Sequence, residues 1–466
     1  MWSPSSFMIS VGHPDDGSQA SIVDHKLLGL DHRQLVENFL AEFPNIFSKP
    51  TTIKDLEAAV SRTRGSEGRL VLHSCMSALI EARLLYVTDT AEQADFRFYP
   101  LRIEALHKVL IPPAEERELI ISRFTLMRPQ EARNGLVLEC PRALGYFEIY
   151  NADAAATAAH TLAMRALHFK REPDDHRPHS NLLRAGLHSA GFLTRTGTVD
   201  IDQTVAAEHP YWEFHDYHFH TRSRLGRHRR PVGATYRMAQ LDPLPPAVRP
   251  PHKSIARFEL PKNNNHPPAT DPSLWSVMDR RRSMRHHSPF GLSRQEFGEF
   301  LYRCCAVREK WQNEVGEFTR RPYPSGGGSY DLEIYFIVSR MHDLPTGFYH
   351  YSPMDHSAHL LQHENELSKQ LIKDAFNASA GTCYPNVLIM LASRYKRVSW
   401  KYSGIAYATI LKNVGVLYAN MYLVATAMAL APCALGLGDP EKFSKLTGLD
   451  FLEEGTVGEF VLGCPL

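Results

Sequence analysis

The longest uncharged stretch of this chain, residues 413–438, places the strongest limit on its fold. Residues 414–431 are mostly apolar and, as a helix, long enough to cross a membrane. Asn420 and several small residues between 419 and 427 equally suit a helix packed on all sides inside a large protein. Because we find no second apolar span and no flanking anchor residues, we predict a buried helix and no membrane association.

Composition agrees with a protein of several globular domains. The chain has 466 residues, of which 43% are hydrophobic and 22% charged, and a single hydrophobic core rarely extends over so many residues. The formal net charge is +1, which gives no general attraction to nucleic acid or to an anionic membrane. We therefore predict neither as a partner.

The cysteines indicate the compartment. There are seven, an odd number, and none forms a C-x-x-C pair, which favours free thiols in a reducing environment. Residues 1–17 lack the basic and apolar segments of a signal peptide. We therefore expect a cytoplasmic protein.

The N-terminal part is predicted to hold two small units. Residues 32–89 show apolar side chains at helix spacing, typical of two or three short helices, and we assign residues 25–120 to a winged-helix-like unit. A second such unit, 121–205, is predicted from strands at 136–140 and 146–150 followed by helices at 154–167 and 182–190.

The rest of the chain is predicted to be a connection and one larger domain. Residues 206–270 are predicted to be a connecting segment, and its proline-rich part, 231–268, is expected to lack regular structure. Residues 271–466 alternate helices with buried strands, which indicates an α+β fold with a central sheet flanked by helices. Apolar runs at 332–338 and 387–392 predict its central strands, 459–462 its final strand, and 293–296 a capping box. A first helix is expected to bury Leu274, Val277 and Met278.

Two segments of this domain could bind an anion or a flat ligand. Residues 280–285 contain four arginines and Ser283, which suits a phosphate; the alternative is a solvated basic helix end. Residues 321–330 contain three consecutive glycines, which let backbone amides approach a ligand closely; the alternative is a flexible turn. The second segment precedes its strand and lacks Gly-Lys-Ser/Thr, so it matches neither a dinucleotide fingerprint nor a phosphate loop.

Two further groups could carry chemistry. Lys401 lies between Trp400 and Tyr402, and burial there would lower its pKa from about 10.4 toward the range of a general base. The alternative is a surface lysine whose stem covers the aromatic rings. His215, His218 and His220 could bind a metal, but a helix that packs by its aromatic residues is the favoured interpretation, and we predict no metal.

Taken together, these motifs resemble the SagB-type dehydrogenases of the nitroreductase superfamily, the FMN-dependent azoline oxidases of thiazole- and oxazole-forming peptide pathways such as those of microcins and cyanobactins. The resemblance covers about residues 212–466. It includes the Arg281–Arg285 motif, the glycine-rich segment, the hairpin at 347–351, the Lys401–Tyr402 pair and the segment 212–226. The N-terminal residues resemble, more loosely, the winged-helix clamps that recognise precursor leader peptides.

The resemblance implies roles for named residues. Lys401 and Tyr402 would be catalytic, one of them as the base, and Tyr349 would contact the substrate. The FMN would be bound by Arg281, Arg282, Ser283, Arg285, Pro324, Ser325, Gly326, Gly327, Ser329, Gly436 and Gly438. One departure is the sequence Gly463-Cys464-Pro465, where the family often has an arginine that contacts the phosphate.

The resemblance also implies a function and partners. The expected reaction oxidises azolines to azoles in a ribosomally made peptide, with oxygen as the final acceptor. The expected partners are that precursor peptide, a cyclodehydratase and a second copy of this chain, with the helix around residues 420–422 at the centre of the homodimer. The alternatives are a thiazoline oxidase acting on a carrier-bound intermediate, a nicotinamide-dependent reductase, and a non-catalytic peptide-binding scaffold.

Overall fold

The computed structural model divides into two compact units, Met1–Arg230 and Pro231–Leu466. The residues it describes are 8–11, 30–47, 50–82, 84–88, 95–109, 119–130, 134–166, 178–195, 211–228, 230–250, 252–262 and 271–466. Part of the predicted proline-rich connection, residues 251 and 263–268, lies outside this set.

The first unit combines helices with antiparallel strands. Its described helices are α1 (Leu30–Glu42), α2 (Ile53–Glu81), α3 (Ile103–Val109), α4 (Ala152–Ala166), α5 (Pro178–Ser189) and α6 (Phe214–Arg222). Its described strands are β1 (Met8–Val11), β2 (Leu85–Thr88), β3 (Phe96–Pro100), β4 (Leu119–Ile121), β5 (Leu126–Pro129), β6 (Leu136–Glu139), β7 (Gly145–Ile149) and β8 (Leu193–Arg195).

Six of these strands form one sheet in the order β1-β2-β3-β7-β6-β5. The predicted hairpin at 136–150 is confirmed as β6 and β7, which pair antiparallel. β3 pairs with β7, so the sheet joins residues from both predicted N-terminal units. The winged-helix resemblance and the boundaries at 120, 205 and 270 stay predictions.

The helical prediction for residues 32–89 is partly wrong. α2 runs for 29 residues through a kink at Gly65, whose φ is +59°, and residues 85–88 form the buried strand β2. Because every residue of β2 is buried, the strand lacks the alternation of apolar and polar residues that would distinguish it from a helix.

The second unit contains the remaining elements. Its described helices are α7 (Leu274–Arg280), α8 (Arg294–Cys305), α9 (Glu366–Ala378), α10 (Tyr395–Ser399), α11 (Ala406–Ala427) and α12 (Pro440–Thr447). Its described strands are β9 (Gly233–Ala234), β10 (Ala256–Glu259), β11 (Leu292–Ser293), β12 (Glu309–Gln312), β13 (Glu317–Arg320), β14 (Leu332–Val338), β15 (Met341–His342), β16 (Gly347–Ser352), β17 (Ser357–His363), β18 (Val387–Arg394), β19 (Tyr402–Ser403), β20 (Ala431–Leu435) and β21 (Glu454–Gly463).

A seven-stranded antiparallel sheet organises this unit, in the order β10-β17-β16-β14-β18-β21-β20. The predicted central strands are confirmed as β14 and β18, in which every residue is buried. Side chains from α8 and α11 pack on one face of the sheet, and side chains from α9 and α12 pack on the other. A strand covered on both faces must be apolar throughout, which explains the two runs in the sequence.

The start of α8 is also confirmed. Ser293 and Glu296 form the predicted capping box, in which each side chain bonds the other residue's backbone amide. The helix buries Phe297, Phe300 and Leu301. The predicted final strand is confirmed as part of β21.

Two helices expose more apolar surface than predicted. α7 buries Val277, but Leu274 and Met278 are 66% and 59% exposed. α11 buries one face, whereas Leu411 and Val416 on its other face are 41% and 37% exposed. The prediction that the helix now labelled α11 is buried on all sides is therefore wrong for a single chain. No helix within the described ranges is both long and apolar enough to span a membrane.

The connecting segment contains regular structure, contrary to the prediction. β10 is an edge strand of the seven-stranded sheet and pairs with β17. Upstream, β9 pairs with β19. We call residues 231–250 the strap; within this range, Gly233–Ala234 is the one strand. Short edge strands in a proline-rich segment carry little periodic signal.

A buried ion pair supports the centre of the sheet. The Glu333 carboxylate lies 3.0 Å from the Arg394 guanidinium and 3.2 Å from the His350 ring. Desolvation alone would raise the pKa of Glu333, but Arg394, His350 and Arg321 outweigh it and lower the pKa to about 2. The ionised form is therefore the one that the fold stabilises.

We predict that Glu333→Gln lowers the free energy of unfolding at neutral pH by about 3–5 kcal/mol, because it leaves Arg394 buried without its charge partner. Urea denaturation measures this. The stabilisation by Glu333 is present above the unfolded pKa of 4.5 and is lost as the pH falls toward 2. The control is Glu309→Gln, which removes an exposed pair with Arg320; equal losses from both variants would contradict the prediction.

Candidate functional site

The glycine-rich segment forms a tight loop before β14. Gly326–Gly328 make one turn of 3-10 helix. The Ser325 hydroxyl accepts a hydrogen bond from the Tyr330 amide at 3.0 Å and lies 3.1 Å from the Ser329 hydroxyl. These hydrogen bonds within the loop favour one defined turn over a flexible one.

A buried carboxylate ties this loop to α11. The Asn413 side chain accepts a hydrogen bond from the Gly326 amide at 2.8 Å and donates one to Asp331 at 2.7 Å. Ser393 on β18 donates to the other oxygen of Asp331 at 2.7 Å. Burial raises the pKa of Asp331, and the bonds from Ser393 and Asn413 offset part of that shift.

Lys401 and Tyr402 lie against the same loop. A side chain on Gly327 would overlap the Tyr402 hydroxyl, and its Cβ would lie 3.1 Å from the Lys401 amine. Gly327 has a φ of +63°, which favours glycine. The structure thus brings Lys401, Tyr402 and the glycine-rich loop together, although they are more than 70 residues apart in the chain.

The basic segment forms a second cluster. Beyond α7 the chain is extended, and the Met284 amide donates to the Pro432 carbonyl of β20 at 2.8 Å. The Ser283 and Tyr422 hydroxyls are 2.8 Å apart, and the Ala434 amide donates to the same Tyr422 oxygen at 2.8 Å. The Arg281 guanidinium lies 5.4 Å from the centre of the Tyr422 ring.

Tyr422 is a site residue that the sequence interpretation missed. It was assigned to the centre of a homodimer, whereas its hydroxyl contacts the predicted phosphate segment. A hydroxyl that accepts from Ala434 can donate its proton to Ser283, which leaves the Ser283 proton to point toward an anion. A tyrosine within the uncharged stretch 413–438 was the only available signal.

The positive charge of this second cluster comes from three arginines. Arg281, Arg282 and Arg285 are exposed. Cys464, at the position of the absent arginine, donates its amide to Asn386 at 3.1 Å. Burial lowers the pKa of the neighbouring His287 to about 4, so this ring is neutral at physiological pH and does not replace the missing charge.

The remaining predicted residues have different surroundings. Gly436 and Gly438 follow β20 and are exposed. Space is open beside Gly436, but a side chain on Gly438 would overlap the carboxylate of Glu459. Burial raises the pKa of Glu459 to about 7. A side chain at 438 would therefore have to displace the end of the Glu459 side chain.

Tyr349 lies in the core. Its side chain is fully buried, its ring stacks on Phe336 with centroids 5.1 Å apart, and its hydroxyl donates to the Pro345 carbonyl at 2.7 Å. A side chain without exposed surface has no face for a substrate. The structure therefore gives Tyr349 a packing role instead of the expected substrate contact.

The two clusters lie toward opposite ends of α11. Thr409 and Asn413 contact the glycine-rich loop, and Tyr422 contacts the basic segment. Tyr422 follows Asn413 by nine positions and Thr409 by thirteen, a rise along the helix of about 14–20 Å. The geometry of one chain thus separates the two predicted halves of the cofactor site.

The histidines lie on α6 in the first unit. His218 is 2.7 Å from the Phe124 carbonyl oxygen and its ring is 4.5 Å from that of Phe214. His220 packs on Trp212. Across the described residues, no group of three or more His, Cys, Asp or Glu side chains is arranged to hold a metal ion.

Two family models match the chain. Residues 278–464 match the nitroreductase family, and residues 119–229 match the cyanobactin oxidase ThcOx family. The first match contains both clusters described above.

Individual proteins and solved structures are similar to parts of this chain. A protein named as a nitroreductase in Methanocaldococcus jannaschii is 31% identical over 166 residues, 35% of this chain and 78% of that protein. A nitroreductase structure from Anabaena variabilis aligns with 53% of this chain and 45% of its own, at 20% identity and a TM-score of 0.39. The Escherichia coli microcin synthetase complex with a truncated precursor bound aligns at 19% identity and a TM-score of 0.34, over 44% of this chain and 77% of the matched chain.

Two neighbouring glycines offer a matched test of the site geometry. Gly327 and Gly328 have φ values of +63° and +68°, but no atom lies within 4 Å of a side chain added at Gly328. We predict that alanine costs about 1 kcal/mol of unfolding free energy at either position, for backbone strain. Gly327→Ala should cost more, because it must also displace Tyr402. Urea denaturation measures both; equal losses would show that Tyr402 does not occupy this space.

Proposed function

Because the chain belongs to the nitroreductase family of oxidoreductases, we propose that it is an FMN-dependent dehydrogenase that oxidises azolines to azoles in a modified peptide. The observation that carries this proposal is the approach of Lys401 and Tyr402 to the glycine-rich loop. That arrangement sets a basic amine and a phenol beside a surface on which a flat ring can lie.

The residues present fit FMN. Arg281, Arg282 and Arg285 offer guanidiniums to its phosphate, and Ser283, held by Tyr422, offers a hydroxyl. The loop from Pro324 to Ser329 offers backbone amides and glycine surface to the flat ring system. When bound, FMN supplies the two-electron acceptor for the reaction.

The protein's own chemistry is proton handling. Converting an azoline to an azole removes one hydride and one proton from adjacent ring atoms. The hydride leaves with its electron pair, and the pair left behind by the proton becomes the new double bond of the aromatic ring. We propose that either Lys401 or Tyr402 accepts the proton and that the other orients the ring. Both side chains are partly buried, so water has limited access to the transferred proton.

We further propose a homodimer that completes each FMN site. The exposed apolar faces of α7 and α11, including Trp275 at 81% exposure, suit a second copy of this chain. A two-fold axis near the middle of α11 would bring the loop of one protomer toward the basic segment of its partner. The rise of about 14–20 Å along α11 between the residues that contact the two clusters within one chain supports this arrangement.

The first unit supports a peptide substrate. Its residues 119–229 match cyanobactin oxidases, and a unit of this size is unnecessary for a reductase of small molecules. We propose that the substrate is a precursor peptide already carrying azolines, so that a cyclodehydratase acts before this enzyme. The wider resemblance to leader-binding clamps is part of the same proposal.

We predict that the FMN-loaded protein converts a synthetic peptide containing one thiazoline into the thiazole, seen by mass spectrometry as the loss of two hydrogen atoms. Lys401→Ala and Tyr402→Phe should retain FMN and lose turnover by roughly 100-fold or more, the usual size of an acid–base contribution. Lys396→Ala is the control, because Lys396 is exposed and paired with Glu453. Normal turnover in both Lys401→Ala and Tyr402→Phe would remove the pair from the mechanism.

The dimer has a separate test. We predict that Val416→Lys yields a monomer in sedimentation velocity and loses bound FMN, because a charge on the exposed face of α11 would be buried in the interface. Met354→Lys is the control: Met354 is 52% exposed and follows β16. A monomeric parent protein with full FMN content would contradict the proposal.

A further inference from the structure

The strap lies beside the proposed catalytic pair. Its strand β9 pairs with β19, with Ala234 opposite Tyr402. The next contact is between the Tyr236 amide and the Lys401 carbonyl, at 3.0 Å. Residues 230–277 lie outside both ranges matched by the family models.

Buried side chains of the nitroreductase-like domain hold the strap in place. Arg394 donates to the carbonyls of Pro246 and Ala247 at 2.8 and 3.1 Å, and the Trp400 indole donates to the Asp242 carbonyl at 2.7 Å. Backbone carbonyls held by a buried guanidinium cannot shift without leaving its N–H groups without acceptors. The strap is therefore a fixed part of the site.

The ring of Tyr236 covers the amine of Lys401. The Lys401 nitrogen lies 5.6 Å from the centre of the Tyr236 ring and 5.4 Å from that of Tyr402. Trp400 packs edge-on against Tyr236, with centroids 5.8 Å apart at 89°. With Gly327 on a third side, the amine has two aromatic faces and a loop around it, at distances typical of cation–π contacts.

The backbone at Tyr236 is strained. Its φ is +54°, a left-handed conformation that glycine and asparagine adopt readily and a bulky residue rarely does. Strain of this kind persists where surrounding contacts hold the residue, and it is concentrated at functional sites. Glycine would satisfy this turn without strain, so the turn itself does not explain the tyrosine.

We propose that Tyr236 is a positioning residue for the reaction, which holds the Lys401 amine in front of the glycine-rich loop. This inference rests on the proposed function. A lysine side chain has four rotatable carbon–carbon bonds, and fixing it in one arrangement costs conformational entropy. The Tyr236 ring offsets that cost before substrate binds. The strap therefore completes an active site that the nitroreductase-like domain alone would leave open on one side.

Two variants distinguish the effect of the Tyr236 ring from the effect of its backbone conformation. Tyr236→Phe keeps the aromatic face and removes only the hydroxyl. Tyr236→Asn suits the left-handed backbone and removes the ring, so it should be at least as stable as the parent in urea. Tyr384→Asn is the matched control, because Tyr384 is a half-exposed tyrosine that lies under another cation, Arg340.

The first measurement needs neither FMN nor substrate. Purified protein is treated with an excess of the acetylating reagent N-hydroxysuccinimide acetate, and the acetylation of each lysine is followed by peptide mass spectrometry. Lys401 should react about five-fold faster in Tyr236→Asn than in the parent, in line with losing one cation–π contact. Its rate should be unchanged in Tyr236→Phe and Tyr384→Asn, and Lys396 should react equally in all. An unchanged Lys401 rate in Tyr236→Asn would overturn the proposal.

The second measurement is turnover of the thiazoline peptide by FMN-loaded protein. Tyr236→Asn should lower kcat about five-fold with little change in KM, and Tyr236→Phe should restore kcat. A normal kcat in Tyr236→Asn, with Lys401→Ala inactive, would refute the role of Tyr236 and leave the proposed function standing. Full activity of Lys401→Ala would instead refute the catalytic pair itself.

Discussion

The candidate site depends on the hydrogen bonds that the buried carboxylate of Asp331 accepts. Asp331 directly precedes β14, and its carboxylate accepts hydrogen bonds from Asn413 on α11 and Ser393 on β18. Asn413 in turn holds the Gly326 amide. One side chain thus joins the central sheet, the long helix and the glycine-rich loop. Because an unpaired buried carboxylate is costly, this set of bonds strongly favours one geometry of the loop.

The position of Lys401 and Tyr402 follows from that geometry. Gly327 presents no side chain, so the Tyr402 hydroxyl and the Lys401 amine can lie next to the loop. The strap pairs with Tyr402 on another side. A cofactor held between the loop and a second protomer would meet these two groups already in place, which is the preorganisation that a proton transfer benefits from.

The sequence predicted those features that depend on neighbouring residues. The capping box at Ser293, the hairpin of β6 and β7 and the buried strands β14 and β18 each follow from a pattern within a few positions. The glycine-rich loop and Lys401 were also identified locally, although their contact across more than 70 residues came only from the resemblance. The exposure of Leu274 and Met278 on α7 was missed, because the spacing of apolar residues along a helix does not report whether another element covers them. The roles of Tyr236 and Tyr422 depend on long-range pairing, and Tyr349 was misassigned because a motif does not report burial.

The most direct test of the proposed oxidation is anaerobic mixing of the FMN-loaded protein with the thiazoline peptide, followed by visible absorbance. The oxidised-flavin absorbance should disappear as thiazole forms, and it should persist in Lys401→Ala. A flavin that stays oxidised with the peptide but is bleached by reduced nicotinamide dinucleotide would contradict the proposed oxidation and indicate a reductase.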